Sequence, residues 1–465
     1  MASTAVAASI ALVAAGCSKG DVGGGSSSAG GSSSPGGTIA SGGGGTVSSS
    51  GGGGGTGGKG VANVVWWNMW SGATVAITKQ MVSEFNATHP KIHVTQLNVP
   101  SADGDAKLLS AVAAGDPPDV FTEWNPTIGE YAQTGAIESL SPYLTGKYKG
   151  FEKWMYPVVL QGGVYKGQLY GASMSMGTLA LYYNKSLMKA AGIASPPKTL
   201  GQLYADQAKE WKISGGRVSQ IGFYPLTSPM YEYMSYFGVK AYNHGRYDLA
   251  SNPKALAMAK WLATYDKYPY SGVSAMDSAY GSVGGGSEDP FDMGKAGFWL
   301  SGAWEGVENI PPDNPSLKGH FGVEPFPPVP GGATSPSSYV WGNYNVIPKG
   351  AKNPRAAFTF ISWLTGYDNV STIAKLLPKG GWIPAGPAPA AAPAYKSWLA
   401  SNSYVKPLVD EMAGKDSQQV ALTPAESEYE TAVTQATQFM ATKKMTPEQA
   451  LAYIDKQANA ALHKK

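Results

Sequence analysis

A doubly wound α/β protein of two domains is what this sequence predicts, and three observations carry the prediction. The chain beyond position 60 opens on a strand-helix-strand pattern and then repeats it, and its roughly 400 residues exceed the size at which one hydrophobic core keeps growing. Residues 62–67, Ala-Asn-Val-Val-Trp-Trp, form a β-branched and aromatic run that reads as a first strand, ending in the loop Asn68-Met69-Trp70-Ser71-Gly72. A helix follows, because Val75, Ile77, Met81, Val82 and Phe85 recur at roughly helical spacing and Pro90 stands just beyond them. Residues 92–99 alternate polar and apolar as a second strand would.

The repeat begins with a helix over 106–114, stopped by Gly115-Asp116-Pro117-Pro118. A short strand over 119–122 then leads into Glu123-Trp124-Asn125-Pro126. Open parallel sheets bind ligands outside the carboxyl ends of their strands, so the loops carrying Trp67, Trp70, Glu123, Trp124 and Asn125 are expected to face one cleft. Further helices are expected over 253–265, 354–364, 425–440 and 447–462, with Gly/Pro-rich connections at 283–290 and 325–337.

Ahead of the fold, residues 5–15 are apolar but too few to span a bilayer, which takes about 20 residues, and they read as the core of an export signal. They lead into Cys17, the only cysteine, and then into a Gly/Ser-rich segment over 18–60 that lacks the apolar groups to offset the entropy of ordering it. The run 10–17 resembles a bacterial lipobox, which implies cleavage before Cys17, a lipid on its sulfur and attachment to the membrane through that anchor. Ala14 stands where the motif carries Leu or Val, and the first ten residues hold no Lys or Arg; the alternative is an ordinary cleaved signal with an incidental thiol.

The formal charge of +3 with no basic stripe gives no electrostatic argument for nucleic acid or an anionic surface as partner. One cysteine excludes an internal disulfide. With only 14% charged residues but 13 Trp and 26 Tyr, the composition is that of an aromatic-rich exported domain, some of whose rings line a surface for an amphipathic ligand. The five His residues show no metal-ligand spacing, and there is no phosphate-binding loop, so neither a metal, another cofactor nor intrinsic ATP hydrolysis is implied.

Five stretches in order carry a family resemblance. They are residues 115–120 (Gly-Asp-Pro-Pro-Asp-Val), residues 163–192 with Tyr182-Tyr183-Asn184-Lys185, residues 291–298 with Gly302-Ala303-Trp304, residues 339–364, and Gly380-Gly381-Trp382-Ile383-Pro384. Together they resemble the extracytoplasmic solute-binding proteins of ABC importers, in the carbohydrate-binding family related to maltose-binding protein. The resemblance implies an α/β, two-lobed periplasmic-binding-protein-like fold with discontinuous lobes joined by crossing hinge strands. It implies capture of a carbohydrate, of oligosaccharide size, between the lobes by a monomer without catalytic activity, and delivery to permease subunits outside the cytoplasm. It places the lobe boundaries at 61–175 and 339–375 for the N-terminal lobe and at 176–338 and 376–465 for the C-terminal lobe. The crossings fall near 172–178, 334–342 and 372–382.

A sugar offers apolar C–H faces and a rim of hydroxyls, so its site needs aromatic platforms and side chains able to donate or accept. Trp67, Trp70, Glu123, Trp124 and Asn125 supply these from the first lobe. By the resemblance, Trp304 and Glu305 face them from the second lobe, Trp341 and Asn343 come from the second crossover, Tyr231 and Tyr233 from a helix start, and Trp382 from the Gly-Gly-Trp loop. For any single Trp the competing reading is core packing. Trp66 and Trp67 adjoin in a strand and point to opposite faces, so at least one of them is structural. A polyamine or other cationic solute is the alternative ligand, and a secreted glycosidase is the rival from another class. The glycosidase requires two carboxyls at a fixed separation of about 5–5.5 or 6.5–9.5 Å, which glutamates on two moving lobes do not keep.

Overall fold

The computed structural model describes residues 60–123, 127–265, 289–310, 314–334 and 336–463. The expected opening is present: β1 (Ala62–Asn68), α1 (Thr74–Thr88) and β2 (Ile92–Asn98), with β1 and β2 parallel. On α1 the residues Thr74, Ile77, Thr78, Met81 and Phe85 are buried, the i, i+3, i+4, i+7, i+11 stripe that seats one helical face on a sheet. Next come α2 (Ser101–Ala113) and β3 (Val120–Glu123), which joins the other side of β1 in parallel. Asp119 is built into this start: its backbone N–H reaches the Val65 carbonyl, one carboxylate oxygen accepts from Val65 N–H and the other from Asn353 N–H. The Gly-Asp-Pro-Pro-Asp turn is thus a structural clamp between β1 and the later segment at 353.

After the helix α3 (Ile128–Thr134), β4 (Gly171–Thr178) is buried along its whole length and enters the same sheet. Leu179 alone then separates it from β5 (Ala180–Asn184), the central strand of a second, three-stranded sheet with β6 (Phe298–Ser301) and β7 (Phe321–Glu324). The first crossing therefore falls at Leu179. Ser338 Oγ accepts from Leu179 N–H, and the Leu179 carbonyl accepts from the hydroxyls of Ser338 and Tyr236, which clasps the crossing to the returning chain. That return ends in β8 (Val340–Pro348), antiparallel to both β3 and β4. The large sheet runs β2-β1-β3-β8-β4 and ends on β9 (Ile383–Pro384), with the short strand Ile137–Glu138 also paired to β8.

The crossing expected at 372–382, with the boundary at 376, lies just before a further strand of the large sheet. Ile383 and Pro384 still pair with Met176 and Ser175 of the large sheet, and helices Pro387–Ala391 and Pro393–Ser401 pack on Val370–Leu376. Lys406–Met412 then touches both β4 and β5. One edge of β4 pairs with β8, and β9 covers the other, satisfying backbone groups that burial would leave unpaired.

Two helices close the chain, Glu426–Ala441 and Pro447–Leu462, packed on one another and, through the second, on Pro253–Thr264. The last begins with a capping box: Thr446 Oγ1 accepts from Gln449 N–H while Gln449 Oε1 accepts from Thr446 N–H, and Pro447 fills the first helical position. No helix among the described residues is long and apolar enough to cross a membrane. Cys17 and the segment up to 59 lie outside the described residues.

Candidate functional site

The strand order β2-β1-β3 puts a topological switch at the carboxyl end of β1, where a crevice opens in parallel sheets. Trp66 is fully buried there and donates from Nε1 to Thr122 Oγ1 at 2.7 Å, which in turn donates to Asn345 Oδ1 at 2.5 Å. It is the structural member of its pair. Trp67 takes the other face of the strand, half-buried in register with Leu97, away from the ring group described next. Glu123 ends β3 opposite Tyr344, and Trp124 and Asn125 lie outside the described residues.

Trp70 follows Asn68 by two residues and stands edge-on to Trp66, with ring centroids 5.9 Å apart. On its other side is Trp382, tilted against it at 5.1 Å. Trp382 is carried by Gly381, which has a left-handed φ of +63° and whose added Cβ would lie 2.7 Å from the Ala303 carbonyl oxygen and 2.9 Å from Trp304 Cα. Only glycine permits both the turn and that approach. The loop that carries Trp382 thereby lies against the backbone at Ala303 and Trp304, which follow a strand of the small sheet.

Trp304 leaves β6 through Gly302-Ala303 and folds its ring back over Gly302, where a Cβ would fall 1.9 Å from the indole. It is half-buried, edge-on to Trp341 at 5.5 Å. Trp341 stacks on Tyr339 at 5.4 Å, and Tyr339 meets Tyr231 at 5.2 Å. Residues 339 and 341 share one face of the crossing chain, and the aromatic-x-aromatic spacing is the sequence signal that marks Tyr339. Tyr231 opens the helix Tyr231–Phe237. Tyr233, two positions on and about 200° around that helix, is 1% exposed and packs on Trp261, Tyr236 and Phe326, apart from the Tyr231–Tyr339 contact.

Glu305 begins a single π-helical turn, Glu305–Asn309, a rare conformation concentrated at functional sites. Its side chain is 1% exposed; Oε2 accepts from Ser301 Oγ at 2.6 Å and from Asn309 Nδ2, and Oε1 is buried with no hydrogen-bond partner. One turn on, burial pushes the Glu308 carboxyl up to about 7. Burial, then the carboxylates of Glu232 and Glu430, raise the Tyr231 hydroxyl, and burial with Tyr231, Glu430, Glu232 and Glu426 raises that of Tyr339. The charges acting on this end of the ring group are acidic.

Asn343 sits at a register shift in β8, where its Nδ2 donates to Ser175 Oγ at 2.6 Å and its carbonyl accepts from Ser173. Its amide nitrogen holds two crossing strands together. Asn68, not singled out by its sequence position, is 1% exposed at the end of β1, and its Nδ2 is buried without a hydrogen-bond partner. The site therefore offers four tryptophans and two tyrosines in two contacting groups, Trp70 with Trp382 and Trp304 with Trp341, Tyr339 and Tyr231, with unpaired polar atoms at Asn68 and Glu305 on the segments that supply Trp70 and Trp304. Such an arrangement suits a ligand with flat apolar faces and a polar rim. Among the described residues no group of His, Cys, Asp and Glu is placed to hold a metal ion.

Comparison with known proteins gives a consistent picture. Residues 70–370 match the family described as bacterial extracellular solute-binding protein. The maltotriose-binding protein of Pyrococcus abyssi is 23% identical over 334 residues, 70% of this chain and 67% of that one. The solved structure of CpMnBP1 with mannotriose bound is 30% identical with a TM-score of 0.75, over 85% of this chain and 100% of the other. The maltose/maltodextrin-binding domain MalE of Bdellovibrio bacteriovorus bound to maltotriose, at 17% identity and a TM-score of 0.68 over 87% of this chain and all of that one, shares the fold.

Proposed function

The chain belongs to the bacterial extracellular solute-binding protein family, and from that premise we propose that it captures a neutral oligosaccharide between its lobes and delivers it to the permease of an ABC importer. The family is one of non-enzymatic binding proteins, and the fold is its two-lobed α/β architecture. The observation that carries the choice of ligand is the pair of ring groups, Trp70 against Trp382 on the large sheet and Trp304 against Trp341, with the Gly381 backbone next to Trp304 joining the segments that carry them. CpMnBP1 holds mannotriose in its solved structure and the Pyrococcus relative is named for maltotriose, which makes these two the first ligands to try.

The test is a thermal-shift screen of the purified protein against manno-, gluco- and xylo-oligosaccharides, polyamines and amino acids. A ligand that binds only the native state raises the melting temperature. A rise with neutral oligosaccharides is the expected result, and a rise confined to polyamines, or none at all, overturns the reading.

Attachment through a lipid on Cys17 is the second part of the proposal, with the Gly/Ser-rich residues 18–60 linking the anchor to the folded part. The protein is expected to fractionate with membranes, and Cys17→Ser to accumulate as the uncleaved precursor. Identical mass and fractionation of the two would return the segment to an ordinary secretion signal.

A further inference from the structure

The two lobes also touch where α3 meets the helix Glu426–Ala441. The first packs on the strand Ile137–Glu138, which pairs with β8 of the large sheet; the second packs on Pro447–Leu462 and, through it, on Pro253–Thr264. Here backbone meets backbone. A Cβ at Gly129 would lie 2.8 Å from both the nitrogen and the oxygen of Thr423, a residue whose hydroxyl is 2.8 Å from that of Tyr247. Ser427 Oγ donates to Glu130 Oε2 across the same seam at 2.6 Å. Within the seam stands Glu426, 2% exposed, with one carboxyl oxygen accepting from the Gly129 N–H and Oε2 buried without a hydrogen-bond partner. A buried polar atom left unpaired is costly and calls for a reason.

The charges that act on this carboxyl are themselves acidic: Glu430 on its own helix, Glu130 on α3 and Asp105 on α2. The hydroxyls of Tyr247, Tyr339 and Tyr344 feel its charge in turn. Burial, and then those carboxylates, raise the Glu426 carboxyl well above 4.5, with the Gly129 N–H pulling the other way. An ionised carboxylate in the seam is stripped of water and repelled from both sides, whereas lobes that part would return water to it. We infer that Glu426 is a proton-dependent latch between the lobes, letting α3 and the helix Glu426–Ala441 meet while it carries a proton and parting them when it ionises. Closing the seam then takes up a proton, so the contact is firmest below the ordinary value of 4.5 and weakens as pH rises above it. The inference rests on the two-lobed fold and on no choice of solute.

Amide hydrogen exchange of the full-length, unliganded protein tests it, read by mass spectrometry on peptides spanning 127–134 and 423–431. Rates are taken from about pH 5 to about pH 8, each divided by the intrinsic rate at that pH. Both peptides are expected to lose protection together as pH rises, by up to about tenfold per pH unit, the limit for one proton. The buried strand β4 serves as reference and should not follow them. Glu426→Gln keeps an oxygen for the Gly129 N–H but has no proton to lose, so its protection should stay level across the range. Glu130→Gln keeps an acceptor for Ser427, removes one repelling charge and should lose less protection than the wild type. Parallel profiles in wild type and Glu426→Gln, a loss at one peptide only, or a loss shared by β4 overturns the inference. If Glu426→Gln does not fold, Glu130→Gln decides, and a profile identical to that of the wild type overturns the inference.

Discussion

Replacing Trp304 by Ala is expected to weaken oligosaccharide binding by roughly ten- to a hundredfold, corresponding to about 1.5–3 kcal/mol of lost apolar contact. The indole is half-buried and folded over Gly302, with one edge toward Trp341, so its removal opens a platform and not an enclosed core. Glu305 is held by Ser301, not by the indole, and should keep its place. Deleting an enclosed core Trp would instead cost about 3–5 kcal/mol of folding free energy. The measurement is a pair: affinity by calorimetry and the urea midpoint without ligand. An unchanged affinity with a large fall in midpoint would assign Trp304 to the core.

The second large effect concerns pH. Glu210 is fully buried in the helix Leu200–Glu210, both carboxylate oxygens lack hydrogen-bond partners, and a Cβ at Gly297 would strike Oε2. Burial, with a smaller push from Asp206, raises its carboxyl from 4.5 to about 8. The folded state therefore holds this proton where the unfolded state has released it, and stability falls as pH rises from the unfolded value toward the folded one. Across a window from 4.5 to about 8 the loss is on the order of 4 kcal/mol. Glu210→Gln has no proton to lose. Urea unfolding at pH 5 and pH 8.5 should show the variant gaining on the wild type by that order as pH rises, and parallel pH dependence in the two proteins would remove Glu210 from the account.

Local pattern was sufficient wherever an element is decided by its own side chains. The helices over Pro354–Leu364 and Pro447–Leu462 begin at prolines that suit a first helical turn, and the strand-helix-strand opening lies where the alternation of Ala62–Asn68 and Ile92–Asn98 puts it. The switch point at β1 follows from that order, so Trp70 could be read as a cleft candidate from its place after a strand. The pairing of β9 with β4 could not be read, because two residues carry no periodicity and their partner is more than 200 positions away in sequence.

By itself, then, the sequence determined the α/β class, most of the helices, the family resemblance and a shortlist of rings. Tertiary structure alone decided which rings meet. Tyr231 and Tyr233 are equivalent as residues, but helical rotation sends one to Tyr339 and the other to Trp261 and Phe326. Asn68 is one asparagine among many in the chain, and its nitrogen is left unpaired only because Asn98, whose Nδ2 also donates to the Trp70 carbonyl, takes its oxygen. Periodicity records which face a residue takes within its own element; which groups oppose that face, and which polar atoms are left unpaired, depends on contacts between distant segments that exist only once the chain has folded.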